Sequence, residues 1–282
     1  MTATLPPLHS RTERVHGSSG LEAVLREVLP IYKAAGQGLW RALELRKVIE
    51  LRDRIGFKAP VLEIGCGDGV FSAYVFDRIQ DGIDINPRVI ARIEDGESIY
   101  DHVHVMDARA MEFPHGEFRT VFANCVIEHI PELDGVLKES ARVLADDGMF
   151  VATVPLRHMN DHLAFHNDAY AQMRQRQLFH VNLHTIDEWR ARFLAAGFKR
   201  VVIEPYLTAS DCVLWDRMDL PICVGIGGRY NVGAVLRILG KALPAQAQQK
   251  LVERVAHSLA TIAIGPQENE PPCAAAIVAW KF

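Results

Sequence analysis

The sequence predicts an α/β fold in which a doubly wound, mostly parallel sheet carries helices on its faces. Between residues 61 and 154, short apolar runs of strand length alternate with segments of helical spacing, as such a sheet requires. The first run, Val61–Ile64, leads into the glycine-rich segment 65–69, and a helical pattern over 70–79 follows it. A strand, a tight glycine turn and a helix are the usual opening unit of this kind of sheet.

Length and composition restrict the class of protein. With 282 residues, of which 49% are hydrophobic and 23% charged, we expect one large globular domain or a domain with an added subdomain. A net charge of −4 argues against nucleic acid as a partner. No apolar run reaches the ~18 residues of a membrane span, and no signal-peptide pattern is present. The five cysteines are scattered and lack a C-x-x-C pair, which predicts a cytoplasmic protein without a disulfide framework.

The segment before residue 58 is predicted to precede the sheet. Residues 1–19, rich in Pro, Ser, Thr, Gly and His, indicate a flexible arm. Residues 21–29 and 39–54 show helical spacing and form predicted cap helices within 20–57. Trp40, Arg41 and Glu44 have two interpretations there. Either they contact a ligand, or Trp40 belongs to the core and the charges to a solvated face, which is the commoner case.

Polar residues follow the strands of the predicted sheet one after another. The glycines at 65, 67 and 69 give G-x-G-x-G, and Val70 stands where a dinucleotide fingerprint has its third glycine, so NAD is the weaker interpretation. Asp84 ends the next apolar run, where an acceptor for a ribose diol is expected. Asn86 and Pro87 then begin a helix, as cap and first residue.

Two further strands end in polar residues. One strand is predicted over 103–106, before Asp107, and another over 120–123, before Asn124. A helical stripe over 133–144 is stopped by Asp147-Gly148, and a fifth strand over 150–154 follows. Because the carboxyl ends of parallel strands lie at one edge of a sheet, we expect 63–69, Asp84, Asp107 and 124–129 to converge on a ligand.

These segments together resemble a known family. Glu63-Ile-Gly-Cys-Gly-Asp-Gly69 resembles the first motif of class I S-adenosylmethionine-dependent methyltransferases, and Asp84 resembles their ribose-binding acid. Residues 104–108 are similar to the adenine-contacting segment, 118–130 to the strand-four motif of the small-molecule branch, and 141–148 to the helix end after it. The resemblance implies S-adenosylmethionine as cofactor and a seven-stranded sheet with an antiparallel last strand and helical cap elements.

The resemblance also implies which residues bind the cofactor. They surround the glycine turn (Glu63, Gly65, Cys66, Gly67, Gly69), the ribose (Asp84, Ile85), the adenine (Asp107, Ala108) and the methionine portion (Asn124, Cys125).

Three histidines are candidate catalytic residues. His129 follows strand four, where the family often carries Glu-His, and His180 and His184 precede the capping box Thr185-Ile-Asp-Glu188. Methyl transfer from a sulfonium is an in-line displacement, and a nearby base helps to remove a proton from a hydroxyl or ammonium acceptor. The alternative is that His129 only shapes the loop that holds the cofactor.

The end of the chain contains a large insertion. Strands six and seven are predicted at 201–204 and 274–280, which gives a catalytic domain of 58–205 plus 273–282. The inserted segment 206–272 is a predicted lid or oligomerisation element, with a glycine-rich turn at 225–228 and helices over 232–243 and 246–262. The apolar stripe of the last helix (Leu251, Val255, Leu259, Ile262) indicates core packing more than a lipid surface.

A metal site and a nucleophilic thiol are two other chemistries that the sequence could support. His162 and His166 are spaced as metal ligands on a helix, but they lack a convincing third ligand, so no metal is predicted. Cys66 and Cys125 have no basic neighbour in the sequence, and buried thiols are commoner than nucleophiles.

The predicted function is a cytoplasmic enzyme that methylates a small molecule, with oxygen, nitrogen or carbon as the acceptor atom left open. The oligomeric state is left open, with a homodimer as one alternative, and neither nucleic acid nor a stable membrane span is expected. Two alternatives stay open: a lipid or polysaccharide-precursor methyltransferase with 206–272 as its lid, and a non-catalytic, S-adenosylmethionine-binding regulatory protein.

Overall fold

The structure, a computed structural model, describes residues 15, 19–32, 34–94, 98–223, 225–226, 230–231, 243–262 and 269–282. Nearly all of the predicted arm 1–19 and of the predicted helix 232–243 lies outside the described residues. Val15, within the predicted arm, is buried in the core. None of the described helices combines the length and apolar character needed to span a membrane.

The centre of the fold is a seven-stranded sheet in the order β3-β2-β1-β4-β5-β9-β6. Strands β1 to β5 pair in parallel, and β9 is antiparallel to β5 and β6, its two neighbours. This topology confirms the predicted mixed, doubly wound sheet. The strands are β1 (Val61–Ile64), β2 (Ile79–Asp84), β3 (Tyr100–Val105), β4 (Phe118–Asn124), β5 (Leu144–Pro155), β6 (Arg200–Thr208) and β9 (Pro272–Trp280), while β7 (Gly225–Ile226) and β8 (Tyr230–Asn231) form a separate ribbon.

Helices cover both faces of the sheet and bury two apolar cores. One core contains α1, α2 and α7, and the other contains α4 and α6. Alternate residues of a strand enter opposite cores: Val61 faces the first core, whereas Leu62 and Ile64 face the second. The helices are α1 (Leu21–Val28), α2 (Ala35–Ile55), α3 (Pro87–Glu94), α4 (Leu133–Val143), α5 (Asp168–Leu178), α6 (Ile186–Ala195), α7 (Ala209–Cys223) and α8 (Ala245–Thr261).

Both predicted helix starts are confirmed. The Thr185 hydroxyl accepts a hydrogen bond from the Glu188 backbone N–H at 3.3 Å, and the Glu188 carboxylate accepts one from the Thr185 N–H at 2.8 Å. This reciprocal capping box begins α6. At α3, the Asn86 side chain accepts from the Arg88 N–H at 3.0 Å.

One predicted helical segment was wrong, and another helix ends a few residues earlier than predicted. Of the region 70–79, only Ser72–Tyr74 is helical, as a 3₁₀ turn, and Ile79 already belongs to β2. Helix α4 ends at Val143, before Asp147-Gly148, because Leu144 adopts an extended conformation and pairs with Phe118. In α8, Leu259 is buried, whereas Leu251 and the residue just after the helix, Ile262, are exposed, so the predicted apolar stripe packs on the core only in part.

A buried ionic cluster joins the first helix of the predicted insertion to α5. The Arg174 guanidinium lies 2.7 Å from Asp216 and 2.8 Å from Asp219, two residues of α7. Arg174 and Asp216 are fully buried, and the Tyr170 hydroxyl donates to Asp216 at 2.7 Å. At this point α7 is part of the packed body. The lid or oligomerisation role of 206–272 stays a prediction.

We expect the Arg174→Met substitution to destabilise the protein by about 3 to 5 kcal/mol, because it leaves two carboxylates buried without their cation. Urea unfolding measures this difference. The matched control is Arg190→Met, which removes an exposed ion pair with Asp187 and should change stability by less than about 0.5 kcal/mol. If the two substitutions lower the free energy of unfolding equally, the buried cluster stabilises the protein no more than an exposed ion pair does.

Candidate functional site

The glycine turn after β1 has the backbone that the sequence predicts. Gly65, Gly67 and Gly69 have φ of +68°, +57° and +68°, a region that residues with a Cβ rarely adopt. A Cβ at Gly65 would lie 2.5 Å from the Val126 side chain, and one at Gly69 would lie 2.9 Å from the Tyr100 ring. A Cβ at Gly67 would meet nothing closer than 3.9 Å. Gly67 therefore faces open space, where a ligand can lie against bare backbone.

Glu63 lies beneath this turn. Its carboxylate accepts hydrogen bonds from the Ser72 hydroxyl at 2.6 Å and the Tyr100 hydroxyl at 2.7 Å. Burial raises the pKa of Glu63 to about 8. Both oxygens are engaged, so Glu63 holds the turn in place from below. Tyr100, at the start of β3, is a residue of this site that the sequence analysis missed.

The ends of β2 and β3 lie side by side next to the glycine turn. Asp84 accepts a hydrogen bond from the Asn86 N–H at 2.8 Å through one oxygen, and its other oxygen has no partner within the described part of the chain. Ile85 is 67% exposed, an unusual state for an apolar residue at a strand end. Asp107 instead binds the Arg109 side chain at 2.7 Å, and these hydrogen bonds lower the pKa of Asp107. Ala108 is buried beside it.

The end of β4 is joined to α2 by a buried polar network. Cys125 has φ of +50°, a strained backbone for a residue with a side chain. Its thiol lies 2.9 Å from Glu44, which in turn accepts from Arg41 at 2.7 Å. With its amide oriented to satisfy its neighbours, Asn124 donates to Glu44 at 2.8 Å and accepts from Arg41 at 3.0 Å.

This network corrects one expectation about α2. Trp40 is a core residue, as the commoner interpretation had it. Glu44, however, is fully buried, so the predicted solvated face of charges is wrong there. Its partners Asn124 and Cys125 fix it at the end of β4.

Two of the three predicted catalytic histidines come together. The rings of His129 and His180 have centroids 5.3 Å apart. His184 lies elsewhere: its ring packs on Trp189 at 5.0 Å, and it is 3.8 Å from Glu188. His166 has the spacing of a metal ligand with His162 in the sequence. In the structure its Nδ1 lies 3.2 Å from the Asp161 carbonyl, and His166 belongs to no metal-like cluster of the described residues.

Glu128 completes the group around the histidine pair, and sequence reasoning missed it. Its carboxylate lies 3.6 Å from His129 Nε2, and it is 1% exposed. Burial raises the pKa of Glu128 to about 8 and lowers the pKa of His129. Burial also lowers the pKa of His180 to about 4. Both imidazoles are therefore neutral near pH 7 and carry free lone pairs.

The histidine pair opens on a groove. This groove has a volume of about 720 Å³ and lies between α5 and the turn after β4. Its walls include His129 and His180, the polar side chains of α5, and Phe179. Phe179 and Val181 are 77% and 57% exposed, which makes the rim apolar. A small molecule in the groove would reach the histidines without displacing any described element.

Comparisons with known proteins identify the family of this chain. A family model described as a methyltransferase domain matches residues 38–203. A phosphatidylethanolamine N-methyltransferase from Cereibacter sphaeroides is 33% identical over 97 residues, which are 32% of this chain and 48% of that protein. The match thus spans about half the length of that relative.

Solved structures share the fold at low identity. One is an S-adenosylmethionine-dependent methyltransferase from Thermotoga maritima, described as a possible histamine N-methyltransferase. It has a TM-score of 0.54 and 13% identity, and the match covers 88% of this chain and 91% of the Thermotoga chain. Phosphoethanolamine N-methyltransferase 2 from Haemonchus contortus was solved with phosphomonomethylethanolamine and S-adenosylhomocysteine. It has a TM-score of 0.54 and 17% identity, and the match covers 91% of this chain and 60% of the Haemonchus chain.

Proposed function

Because the chain belongs to the class I S-adenosylmethionine-dependent methyltransferases, we propose that it methylates a small molecule held in the groove at His129 and His180. The observation that carries this proposal is the pair of neutral imidazoles that opens on the groove just after β4. In a doubly wound sheet, the ligands lie at this edge, where the strand ends converge.

The donor site would use the convergent strand ends. Gly65, Gly67 and Gly69 let the donor lie against backbone, with Glu63 and Cys66 supporting the turn. The free oxygen of Asp84 would accept from the ribose hydroxyls, and exposed Ile85 would pack on the adenosine together with Ala108. Asp107 would accept from the adenine once it turns from Arg109, and Asn124 and Cys125 would hold the methionine portion.

The chain's own residues would then orient the acceptor and take its proton. When bound, S-adenosylmethionine supplies a methyl group on a positively charged sulfur. His129 Nε2 is free to accept a proton, because Nδ1 lies 3.0 Å from the Phe179 carbonyl and carries the ring hydrogen. His180 would assist beside it. His184, which is outside the groove, would act only by positioning α6.

Nitrogen is the acceptor atom that the comparisons favour. The relative from Cereibacter sphaeroides and the structures from Thermotoga maritima and Haemonchus contortus all carry amine methyltransferase names. A second candidate, a lipid-borne acceptor, is favoured by the exposed apolar rim at Phe179 and Val181. Transfer of labelled methyl to amine-bearing vesicles, absent with the soluble head group, would select this second candidate. The location we propose is cytoplasmic, since the described cysteines are unpaired.

We expect Asp84→Ala to weaken S-adenosylmethionine binding about 10- to 100-fold, because it removes charge-assisted hydrogen bonds to the ribose. Isothermal titration calorimetry measures the affinity. Asp187→Ala is the control, since the Asp187 side chain is 92% exposed on α6 and should bind the donor normally. Undiminished binding to the Asp84 variant would remove the support for this donor site.

Methyl transfer itself is tested with a labelled donor. We expect labelled methyl from S-adenosylmethionine to appear in small amines incubated with the protein, and the label to disappear with His129→Ala. Donor binding without transfer to any component of a cell extract would instead indicate a regulatory binding protein.

A further inference from the structure

Three polar side chains converge beside the groove, and two of them, His129 and His180, line it. Glu128, His129 and His180 each offer one atom, and these atoms all lie within 4.8 Å of one another. The His129 ring hydrogen is on Nδ1, which faces the Phe179 carbonyl, so Nε2 presents a lone pair. One carboxylate oxygen of Glu128 is fully buried and has no hydrogen-bond partner among the described residues. A buried acceptor without a donor is costly, which points to a ligand that supplies donors.

The backbone holds these three residues in place before any ligand arrives. The N–H groups of Val181 and Asn182 donate to the Glu128 carbonyl at 2.9 and 3.0 Å. The Asn182 side chain also donates to the carbonyls of Ile127 and Ile130 at 2.9 and 2.7 Å. The turn after β4 is thereby fastened to the segment that carries His180. Such preorganisation lowers the entropy cost of binding.

The spacing of the three acceptors suits one ammonium nitrogen. Acceptors that each lie ~2.9 Å from one nitrogen can be at most about 5.8 Å apart, and the three atoms of this group all lie within 4.8 Å of one another, with Glu128 and His129 Nε2 3.6 Å apart. A primary ammonium also has three N–H donors, one for each acceptor.

We propose that Glu128, His129 and His180 form an amine site that binds the primary ammonium group of the methyl acceptor. This inference rests on the proposed function and names its substrate class. The groove beyond the site has room for the remainder of the acceptor. Burial resists ionisation of Glu128, and an adjacent ammonium would favour its charged form.

The amine site also provides for the chemical step. One ammonium proton passes to His129 Nε2, which frees the nitrogen lone pair. The nitrogen attacks the methyl carbon, the N–C bond forms as the C–S bond breaks, and the bonding pair stays on sulfur. The positive charge moves from sulfur to the methylated nitrogen, beside the Glu128 carboxylate. Each methylation removes one N–H donor, so the site loses one hydrogen bond at each step.

The test uses the full chain saturated with S-adenosylhomocysteine. Ethanolamine and its mono-, di- and trimethylated forms are titrated, with ethylene glycol as a neutral analogue, and the histidine ring signals are followed by NMR. We expect ethanolamine to bind most tightly and the affinity to fall with each methylation, so that the trimethylated form binds at least tenfold more weakly than ethanolamine. Ethylene glycol should also bind at least tenfold more weakly than ethanolamine. A flat series, glycol binding as tight as ethanolamine, or no binding of ethanolamine at millimolar concentration overturns the amine site.

Variants separate this proposal from its alternatives. Glu128→Gln and, as a second variant, His180→Ala should each weaken ethanolamine binding at least tenfold and leave S-adenosylhomocysteine binding unchanged. His166→Ala, outside the cluster, should change neither. Stoichiometric binding of Zn²⁺ that requires Glu128, without ethanolamine binding, would make the cluster a metal site and overturn the proposal. Failure to bind S-adenosylhomocysteine would count against the proposed function itself, whereas methyl transfer to a hydroxyl with normal donor binding would overturn only the amine site.

Discussion

The Gly67→Ala substitution is expected to weaken S-adenosylmethionine binding at least 100-fold while the protein stays folded. A Cβ at this position meets no atom of the described residues closer than 3.9 Å, so this part of the fold has room for it. The added methyl group would instead occupy the space where the donor approaches the backbone. Donor titration by calorimetry and a thermal melt of the same sample give the two readings.

The matched control for this substitution is Gly56→Ala. Gly56 has φ of +77°, an added Cβ there would meet no atom of the described residues within 4 Å, and it caps the end of α2, outside the glycine turn. Both substitutions place a side chain at positive φ, at a backbone cost of about 1 kcal/mol or more, but only Gly67→Ala should affect the donor. If both variants bind S-adenosylmethionine like the unmodified protein, the open side of the glycine turn is not the donor site.

Local sequence signals were sufficient for the fold. The Thr185–Glu188 capping box, the Asn86 cap and the glycine turn each depend on residues within a few positions of one another. Right-handed crossovers between short strands then indicate a parallel sheet, whereas the antiparallel last strand was expected only from the family resemblance. The segment 70–79 shows the limit of such signals. Its apolar spacing suits a helix, but only Ser72–Tyr74 is helical, as a 3₁₀ turn, and Ile79 already belongs to β2.

The polar interior of the site depends on partners that are distant in sequence. Glu44 meets Cys125 across 81 positions, and Glu63 meets Tyr100 across 37. Each of these residues, taken alone in the sequence, is typical of a surface or a simple core position. Likewise, nothing near Glu128 in the sequence indicates that its carboxylate is buried next to His129 and His180. Only the tertiary fold brings these groups together.

The stability of the protein is expected to fall as pH rises from about 6.5 to 8. Burial raises the pKa of both Glu63 and Glu128 to about 8, far above the ordinary value. In this window the folded protein keeps a proton on each carboxyl group, whereas the unfolded chain has already lost both. The folded state thus binds more protons than the unfolded state. The stability that these two carboxyl groups contribute is fully present below about pH 4.5 and is lost as pH rises through their pKa in the folded protein.

The histidines set the lower limit of this window. Burial lowers the pKa of His129, His180 and His184, so these groups oppose folding only as pH falls below about 6.5. Above that value they are neutral in both states, and the two carboxyl groups dominate the slope.

Urea unfolding at pH 6.5 and pH 8 measures this effect directly. One pKa unit corresponds to about 1.4 kcal/mol, so the two groups together should lower the free energy of unfolding by about 3 kcal/mol across the window. Glu63→Gln or Glu128→Gln should remove about half of the decrease, and the double variant nearly all of it. Asp187→Asn changes an exposed carboxylate and should leave the decrease intact. A free energy of unfolding that is constant between the two pH values would mean that both buried carboxyl groups are ionised in the folded protein. In that case Glu128 would hold a full negative charge beside His129 even before an ammonium group arrives.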